Sequence, residues 1–490
     1  MAQQNADLDV LIVGAGISGI DAAYHLRTRR PGTRFAIMEA KEDIGGTWLT
    51  HRFPGIRSDS DLFTFGYRWK PWTGVPIATA PEILSYLNEA VEEQELRPHI
   101  RFRTRISHAD WCDDHQLWTV TGQSGPDDTP FTLTARFLWM CAGYYRHDEG
   151  YLPKWPGMER FDGPIIHPQN WPEDLDHADK QIVVIGSGAT AATLVPALAK
   201  TARQVTILQR TPTYYFPRPV MDEFQQTLTA LNLPADWMHE IMRRKFLLDS
   251  ETTARRAREE PDALAADLLD GVRAYLPDED LIAEHFSPTY RPWRQRVAMV
   301  PDGDLFVALR EGRARIVTGQ IREFSEAGIE LETGQQLQAD IIVSATGLNL
   351  NVFGDIRLSR GGQAVDVSRL ITHRAVMFAG LPNFATVFGY LRSSWTLRAD
   401  LVSEYLCRVL TLMEEKGTAS VEPMLRAEDQ GMKERPWIDP DNFNPGYIAR
   451  HLAQLPKQGD RQPWIMTQDY FQDRYDLPAA DLEDGTLIYR

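Results

Sequence analysis

Two apolar runs in this chain lead straight into glycine-rich turns. Residues Asp9–Val13 alternate too little for a strand with one wet face, and predict a central strand buried on both sides. Gly14-Ala15-Gly16-Ile17-Ser18-Gly19 follows, then a helical run Ile20–Arg30 and a second strand Arg34–Met38 that ends at Glu39. This is the pattern of a βαβ unit. The same grammar recurs as Gln181–Ile185, Gly186-Ser187-Gly188-Ala189-Thr190-Ala191, a helix through Lys200 and a strand Gln204–Leu208 running to Arg210. Two such units predict two dinucleotides held by two separate folds.

Two more apolar runs end in small residues, Phe137–Cys141 into Ala142-Gly143 and Ile341–Ser344 into Ala345-Thr346-Gly347. Strand-to-glycine turns of this kind serve as crossings between two dinucleotide-binding folds. The predicted class is therefore α/β, with two Rossmann-like domains and a helical insertion. The first fold takes residues 1–150 and returns at 347–490, which also holds a C-terminal wrapping segment. The second takes 151–220 and 287–346. Residues 221–286 form the insertion, where Trp237, Ile241, Met242 and Phe246 recur at helical spacing among dense Arg and Glu. The stretch Glu434–Pro463, rich in Pro, Asn and Gly, predicts an ordered loop over the surface.

Composition narrows the choice. At 490 residues, 43% hydrophobic and 24% charged, the chain suits a multi-domain globular protein. A net charge of -16 argues against nucleic acid, whose phosphates a binder must neutralise with Lys and Arg. Cys112, Cys141 and Cys407 form neither a redox pair nor a metal spacing, which fits a reducing cytoplasm and excludes a disulfide reductase. The first apolar run is too short to span a bilayer, so no integral membrane segment is expected. Peripheral contact with a membrane stays open, as does the oligomeric state.

The first glycine motif has a physical reason at each position. Gly14 permits the tight strand-to-helix turn, Gly16 lets a pyrophosphate approach the backbone, and Gly19 allows close helix–strand packing. The helix N-terminus offers free N–H groups and partial positive charge to phosphates. Glu39, twenty residues after Gly19, is placed to accept hydrogen bonds from ribose hydroxyls. In the second motif Gly186, Gly188, Ala189 and Thr190 take the pyrophosphate. The next strand ends in Arg210-Thr211 rather than an acid. A guanidinium there pairs with a 2′-phosphate that a carboxylate would repel, which favours NADPH over NADH.

Between the two motifs lies Phe161–Pro172, reading FDGPIIHPQNWP. Its Phe161, Gly163, His167, Trp171 and Pro172 match the fingerprint FxGxxxHxxxW(P/D) of type I Baeyer–Villiger monooxygenases. Gly45-Gly46-Thr47-Trp48, followed by Phe53-Pro54-Gly55 and Asp59, is similar to a second signature of that family. Over nearly its full length the chain resembles these enzymes, and most closely their ethionamide-activating branch. Tyr144-Tyr145, Asp148–Tyr151, Trp171–Asp176, Trp293 with Gln295-Arg296, Ser394–Leu397 and Leu455–Gly459 carry the closer match.

The resemblance implies FAD in the first fold and NADPH in the second. Gly46, Thr47 and Trp48 would lie against the flavin, with Asp59 near its ring. Arg296 matches an Arg that reaches the flavin and is essential for oxygenation, and Asp59 would orient and balance it. Many relatives carry Lys just before that Arg; Gln295 stands here, leaving Arg210 and Thr211 to hold the 2′-phosphate. His167 reads as positional, coupling the linker to nicotinamide binding. The implied reaction inserts one oxygen atom of O2 beside a ketone carbonyl, through a flavin C4a-peroxide, giving an ester or lactone. Sulfide oxidation is an expected side activity. An N-hydroxylating or S-oxidising flavin-containing monooxygenase is the alternative, though the related motif there ends in Tyr or Phe where Trp171 stands. The partners implied are small ketones or sulfides and O2, with no metal. Tyr390, Trp395 and Trp464 are equally readable as pocket lining or as core.

Overall fold

The computed structural model describes residues 6–490. The opening strand Leu8–Val13 sits inside a nine-stranded sheet and is parallel to both its neighbours, Phe35–Met38 and Thr129–Met140. Buried on both faces, it has no need of alternation. The long strand Thr129–Met140 serves two layers of pairing. Its first half runs antiparallel to Leu117–Ser124, while its second half runs parallel to the opening strand and to the late strand Phe384–Thr386. Strand Arg357–Arg360 also joins this sheet, beside Thr104–Cys112. The first fold is thus built from both ends of the chain.

The second sheet is wholly parallel, in the order 314–318, 204–209, 181–185, 341–344, 165–166. Its last strand, Ile165–Ile166, lies inside the Phe161–Pro172 segment, pairing with Ile342 and Val343. That segment is therefore part of the sheet rather than a free linker.

Helices Glu223–Ala230, Ala235–Glu259, Pro261–Arg273 and Glu279–His285 fill the insertion. The apolar spacing expected there is only half a core. Met242 and Phe246 are buried in the hydrophobic cluster of the first fold, beside Phe63, whereas Trp237 is 66% exposed. At 100° per residue Trp237 lies opposite Phe246 on the helix, so the spacing joins two different faces. Arg243 donates to the Phe63 carbonyl at 2.7 Å, so the insertion docks on the first fold as well as the second. The C-terminal stretch is ordered, but it does more than cover the surface: it sends Trp437, Ile438, Phe443 and Ile448 into the core.

Two helices pack side by side in the first fold, Ile17–Arg29 and Trp395–Lys416, and polar pairs stitch them together. Trp395 donates to Ser18 Oγ at 2.8 Å, Ser403 to Asp21 at 2.8 Å, and His25 Nε2 bonds Asp400 at 2.9 Å. The helix that opens at the first glycine motif is thereby held against the late C-terminal helix.

Candidate functional site: a cleft between two glycine loops

The glycines of the first loop are placed as the turn requires. Gly14 has φ +99°, and a Cβ there would stand 2.7 Å from the Cys141 carbonyl oxygen. A Cβ on Gly19 would stand 1.9 Å from the Gly14 carbonyl oxygen, which fixes the close approach of helix to strand. Gly16 packs directly on Gly46: a Cβ on Gly46 would come 3.1 Å from the Gly16 Cα. The two glycine loops thus meet in contact and line one cavity together.

Glu39 sits at one end of that cavity, nearly buried. Its carboxylate accepts from Ala15 N at 2.7 Å and Lys41 N at 2.8 Å, which fixes it at the mouth of the glycine loop. Burial pushes its pKa up, against the pull of those N–H groups and the Lys41 charge. Thr47, Trp48, Phe65, Tyr144 and Trp395 line the cavity further along, and Asp59 faces it. Tyr144 stacks on Trp395 with centroids 5.1 Å apart, and Thr47 bonds the Tyr145 hydroxyl at 2.6 Å. A carboxylate, a helix N-terminus and aromatic walls in one groove are the donor set that an adenosine ribose, a pyrophosphate and a flat ring system need.

The second loop opens outward. Gly186 has φ +126° and packs on the Ala345 carbonyl, while a Cβ at Gly188 would meet nothing within 4 Å. Helix Ala189–Leu198 starts there, so its first N–H groups face open space where a pyrophosphate can approach. Arg210 and Thr211 follow strand Gln204–Gln209, both exposed, and Arg210 forms no ion pair among the described residues.

The Phe161–Pro172 segment ties the two crossings together. Phe161 is buried against Ile185, Leu208 and Ile342. A Cβ on Gly163 would stand 2.3 Å from the Asp340 carbonyl oxygen. Gln169 N donates to His167 Nδ1 at 3.2 Å, so the proton resides on Nε2, which donates to the Gly347 carbonyl at 2.9 Å. Burial holds the His167 pKa below the ordinary imidazole value. A neutral ring committed at both nitrogens is a strut rather than an acid or base. Trp171 packs on the second core.

Arg296 and Asp59 are brought together from opposite folds. Arg296 Nη2 lies 2.6 Å and Nε 2.8 Å from the same Asp59 oxygen. The Asp59 charge holds the guanidinium above even its ordinary basicity, ahead of the opposing cost of burial. Tyr144 and Tyr447 stand near it, and burial raises both phenols while the Arg296 charge lowers them.

Comparison with known proteins identifies the family. The sequence profile of flavin-binding monooxygenase-like proteins matches residues 77–246, and that of NAD(P)-binding Rossmann-like domains matches residues 12–74. The FAD-containing monooxygenase EthA of Mycolicibacterium smegmatis is 46% identical over 474 residues, 96% of this chain and 95% of EthA. The chain belongs to the FAD-containing monooxygenases. A probable FAD-binding monooxygenase, AlmA of Acinetobacter baylyi, is 40% identical over 98% of this chain and 96% of its own. Among solved structures, oxidised steroid monooxygenase bound to NADP has a TM-score of 0.71 at 24% identity, covering 86% of this chain and 88% of that one. OTEMO in complex with FAD and NADP has a TM-score of 0.70 at 23% identity over 88% of each chain. At these identities the likeness is one of fold.

Within this flavin monooxygenase the sequence reading missed several cavity residues. Lys41, Phe65, Arg105 and His147 all line the cleft, and none lies in a recognisable motif. Lys41 Nζ and His147 Nδ1 both reach Thr50 Oγ1, at 2.5 and 2.7 Å. Burial and the Lys41 charge hold the His147 pKa down to about 4. Of the aromatics left open, Trp395 lines the cleft, while Tyr390 and Trp464 are core: Tyr390 donates to Asp473 at 2.7 Å, and Trp464 is fully buried. Burial raises the Cys141 thiol, as for a small core hydrophobe rather than a redox group. Among the described residues no helix is long and apolar enough to cross a membrane.

Proposed function

We propose that this flavin monooxygenase is of the Baeyer–Villiger type, dependent on FAD and NADPH and acting on small ketones. In balance, ketone, O2, NADPH and a proton give an ester or lactone, NADP+ and water. We assign the flavin to the cleft between Gly14–Gly19 and Gly45–Trp48, with Glu39 at the ribose. NADPH is assigned to Gly186–Thr190, with Arg210 and Thr211 at the 2′-phosphate. The assigned folds are residues 1–150 with 347–490, and 151–220 with 287–346, around the 221–286 insertion.

The flavin, when bound, supplies electron transfer from NADPH and the activation of O2. The chain supplies position and field. Arg296 offers a cation that keeps its proton at any working pH, suited to negative oxygen developing beside it. Asp59, sharing one oxygen between Arg296 Nε and Nη2, fixes the direction in which the remaining N–H groups point. Trp48, Tyr144 and Trp395 present aromatic surface that keeps water from the reacting oxygen. The single observation that carries the reading is the Arg296–Asp59 pair at the edge of an aromatic-walled cleft.

The test is a reaction of FAD-loaded protein with NADPH and a panel of linear, cyclic and aryl ketones under 18O2. One labelled oxygen per ester, with NADPH consumed in equal amount, is the expected result. Hydrogen peroxide with no ester from any ketone overturns it. Turnover confined to amines would place the enzyme with the N-hydroxylating flavin monooxygenases instead.

A further inference from the structure

The loop that carries Asp59 is gripped from both folds at once. On the first fold, Ser58 N donates to the Ala78 carbonyl at 2.8 Å and Ala80 N to the Ile56 carbonyl at 3.1 Å, which seats the loop on the start of helix Ala80–Glu93. On the second, Phe53 is buried in the same hydrophobic cluster as Ala191, Leu194 and Val195 of helix Ala189–Leu198. Gly55 rests on the same helix: a Cβ there would stand 2.8 Å from the Ala197 Cβ and 3.0 Å from the Thr193 carbonyl oxygen. Arg57 then makes a two-pronged pair with Asp304, at 2.7 and 3.2 Å, where helix Asp304–Arg310 begins. Both partners of that pair are largely sheltered, at 18% and 31% exposed.

From these contacts we infer that Phe53 and Arg57 are positioning residues, a tether that transmits occupancy of the second glycine loop to the Asp59–Arg296 pair. Helix Ala189–Leu198 is the transmitting body. Its first turn faces the space assigned to the nucleotide pyrophosphate, and its flank carries Phe53 and Gly55. A packed helix moves as a unit rather than deforming, so a shift at its N-terminus reaches the loop undiminished. Asp59 is two residues beyond Arg57 and ion-paired with an Arg of the second fold, so any displacement of the loop changes where Arg296 points. The inference rests on the cofactor assignment above, and gives a role to the Phe53-Pro54-Gly55 motif beyond its turn.

The experiment uses FAD-loaded full-length protein, the substitutions Arg57→Gln and Asp304→Asn, and the exchanged pair Arg57→Asp with Asp304→Arg. Two quantities are read: NADP+ affinity by calorimetry, and the change NADP+ causes in the flavin absorption spectrum. Both single substitutions are expected to leave NADP+ affinity within threefold, to shrink the spectral change at saturation at least fivefold, and to raise hydrogen peroxide released per NADPH. The exchanged pair is expected to recover at least half of the spectral change. Phe53→Leu, a milder change in the same helix contact, gives an intermediate loss and guards against a variant that fails to fold. A full spectral change at saturating NADP+ in both single substitutions overturns the tether. So does a spectral loss that follows affinity alone. Failure of the cofactor reading looks different: the unsubstituted protein then takes up FAD without responding to NADP+, which overturns both.

Discussion

Arg296 and Asp59 lie 237 positions apart in the chain, yet a single Asp59 oxygen accepts from Nε of the guanidinium and lies 2.6 Å from its Nη2. The geometry leaves the other end of the guanidinium uncommitted to Asp59, and the Asp59 charge secures its proton. A lysine cannot reproduce this fork, because an ammonium is a compact point charge on a flexible stem.

Arg296→Lys is therefore expected to lower ester formation by roughly 100-fold or more, the scale seen when one preorganised stabilising group is removed. FAD content and the rate of flavin reduction by NADPH should stay within a few-fold. Rapid-mixing absorbance separates the two half-reactions. Ester formation kept within about threefold of the parent would remove Arg296 from the chemistry.

On the proposed cofactor assignment, Arg210 sets cofactor choice. A charge-assisted contact contributes about 1.5–3 kcal/mol, so Arg210→Ala should cost roughly 10- to 100-fold in kcat/KM for NADPH and leave NADH nearly unchanged. Equal losses with both cofactors would mean that the exposed strand end never meets a 2′-phosphate.

The two glycine loops should respond oppositely to a methyl group. Gly19→Ala drives a Cβ to 1.9 Å from the Gly14 carbonyl oxygen, and purified protein should carry little FAD and melt several degrees lower. Gly188→Ala meets nothing within 4 Å and should fold with FAD bound, weakening only the nucleotide site it faces. Bound flavin per chain and melting temperature decide both.

Asp21 predicts a pH dependence. Burial raises its pKa to about 6 from the usual 3.8, with Asp400 pushing the same way and His25 opposing. Trp69 and Ser403 donate to it, and Arg29 and Arg68 flank His25 and Asp400. A raised carboxyl binds its proton more tightly in the folded chain than in the unfolded one. Its contribution is present below about pH 4 and fades as pH rises through about 6. Asp21→Asn removes that slope, so the melting temperature of the variant minus that of the parent should rise between pH 4.5 and 7.5. Parallel curves over that window would contradict the assignment.

On the insertion helix, Phe246→Ala should cost about 3–5 kcal/mol by opening a cavity in the first-fold core. Trp237→Ser, on the exposed face, should change stability by no more than about 0.5 kcal/mol. Urea titrations of the two variants read the contrast directly.

The glycine loops and both βαβ units were legible because each rests on a local constraint, a forced backbone conformation or a buried parallel strand, while the pairing of Arg296 with Asp59 is consistent with candidates that the family resemblance supplied. What escaped was non-local. Nothing around Phe53 signals that it plugs the second fold, since burial there depends on helix Ala189–Leu198, more than a hundred residues downstream. Lys41 and His147 meet only at Thr50, through folding. Trp237 misled because helical spacing of apolar residues does not say which face is covered. The wrapping segment looked superficial because Pro, Asn and Gly describe its backbone, while Trp437 and Phe443 decide its burial.

The double allegiance of strand Thr129–Met140 bears on how the protein is made. The ribosome releases the first fold's opening strands early, but their late partners Arg357–Arg360 and Phe384–Thr386 and the helix Trp395–Lys416 come only after Ile341–Ser344, the strand of the second sheet that is made latest. The fold begun first is thus closed last. A nascent or truncated chain ending near residue 350 holds a finished second lobe beside an unfinished first one, whose cofactor cleft lacks the Trp395 wall. Flavin capture is accordingly expected only after helix Trp395–Lys416 has been made, and stop products ending near residue 350 should be isolated without flavin.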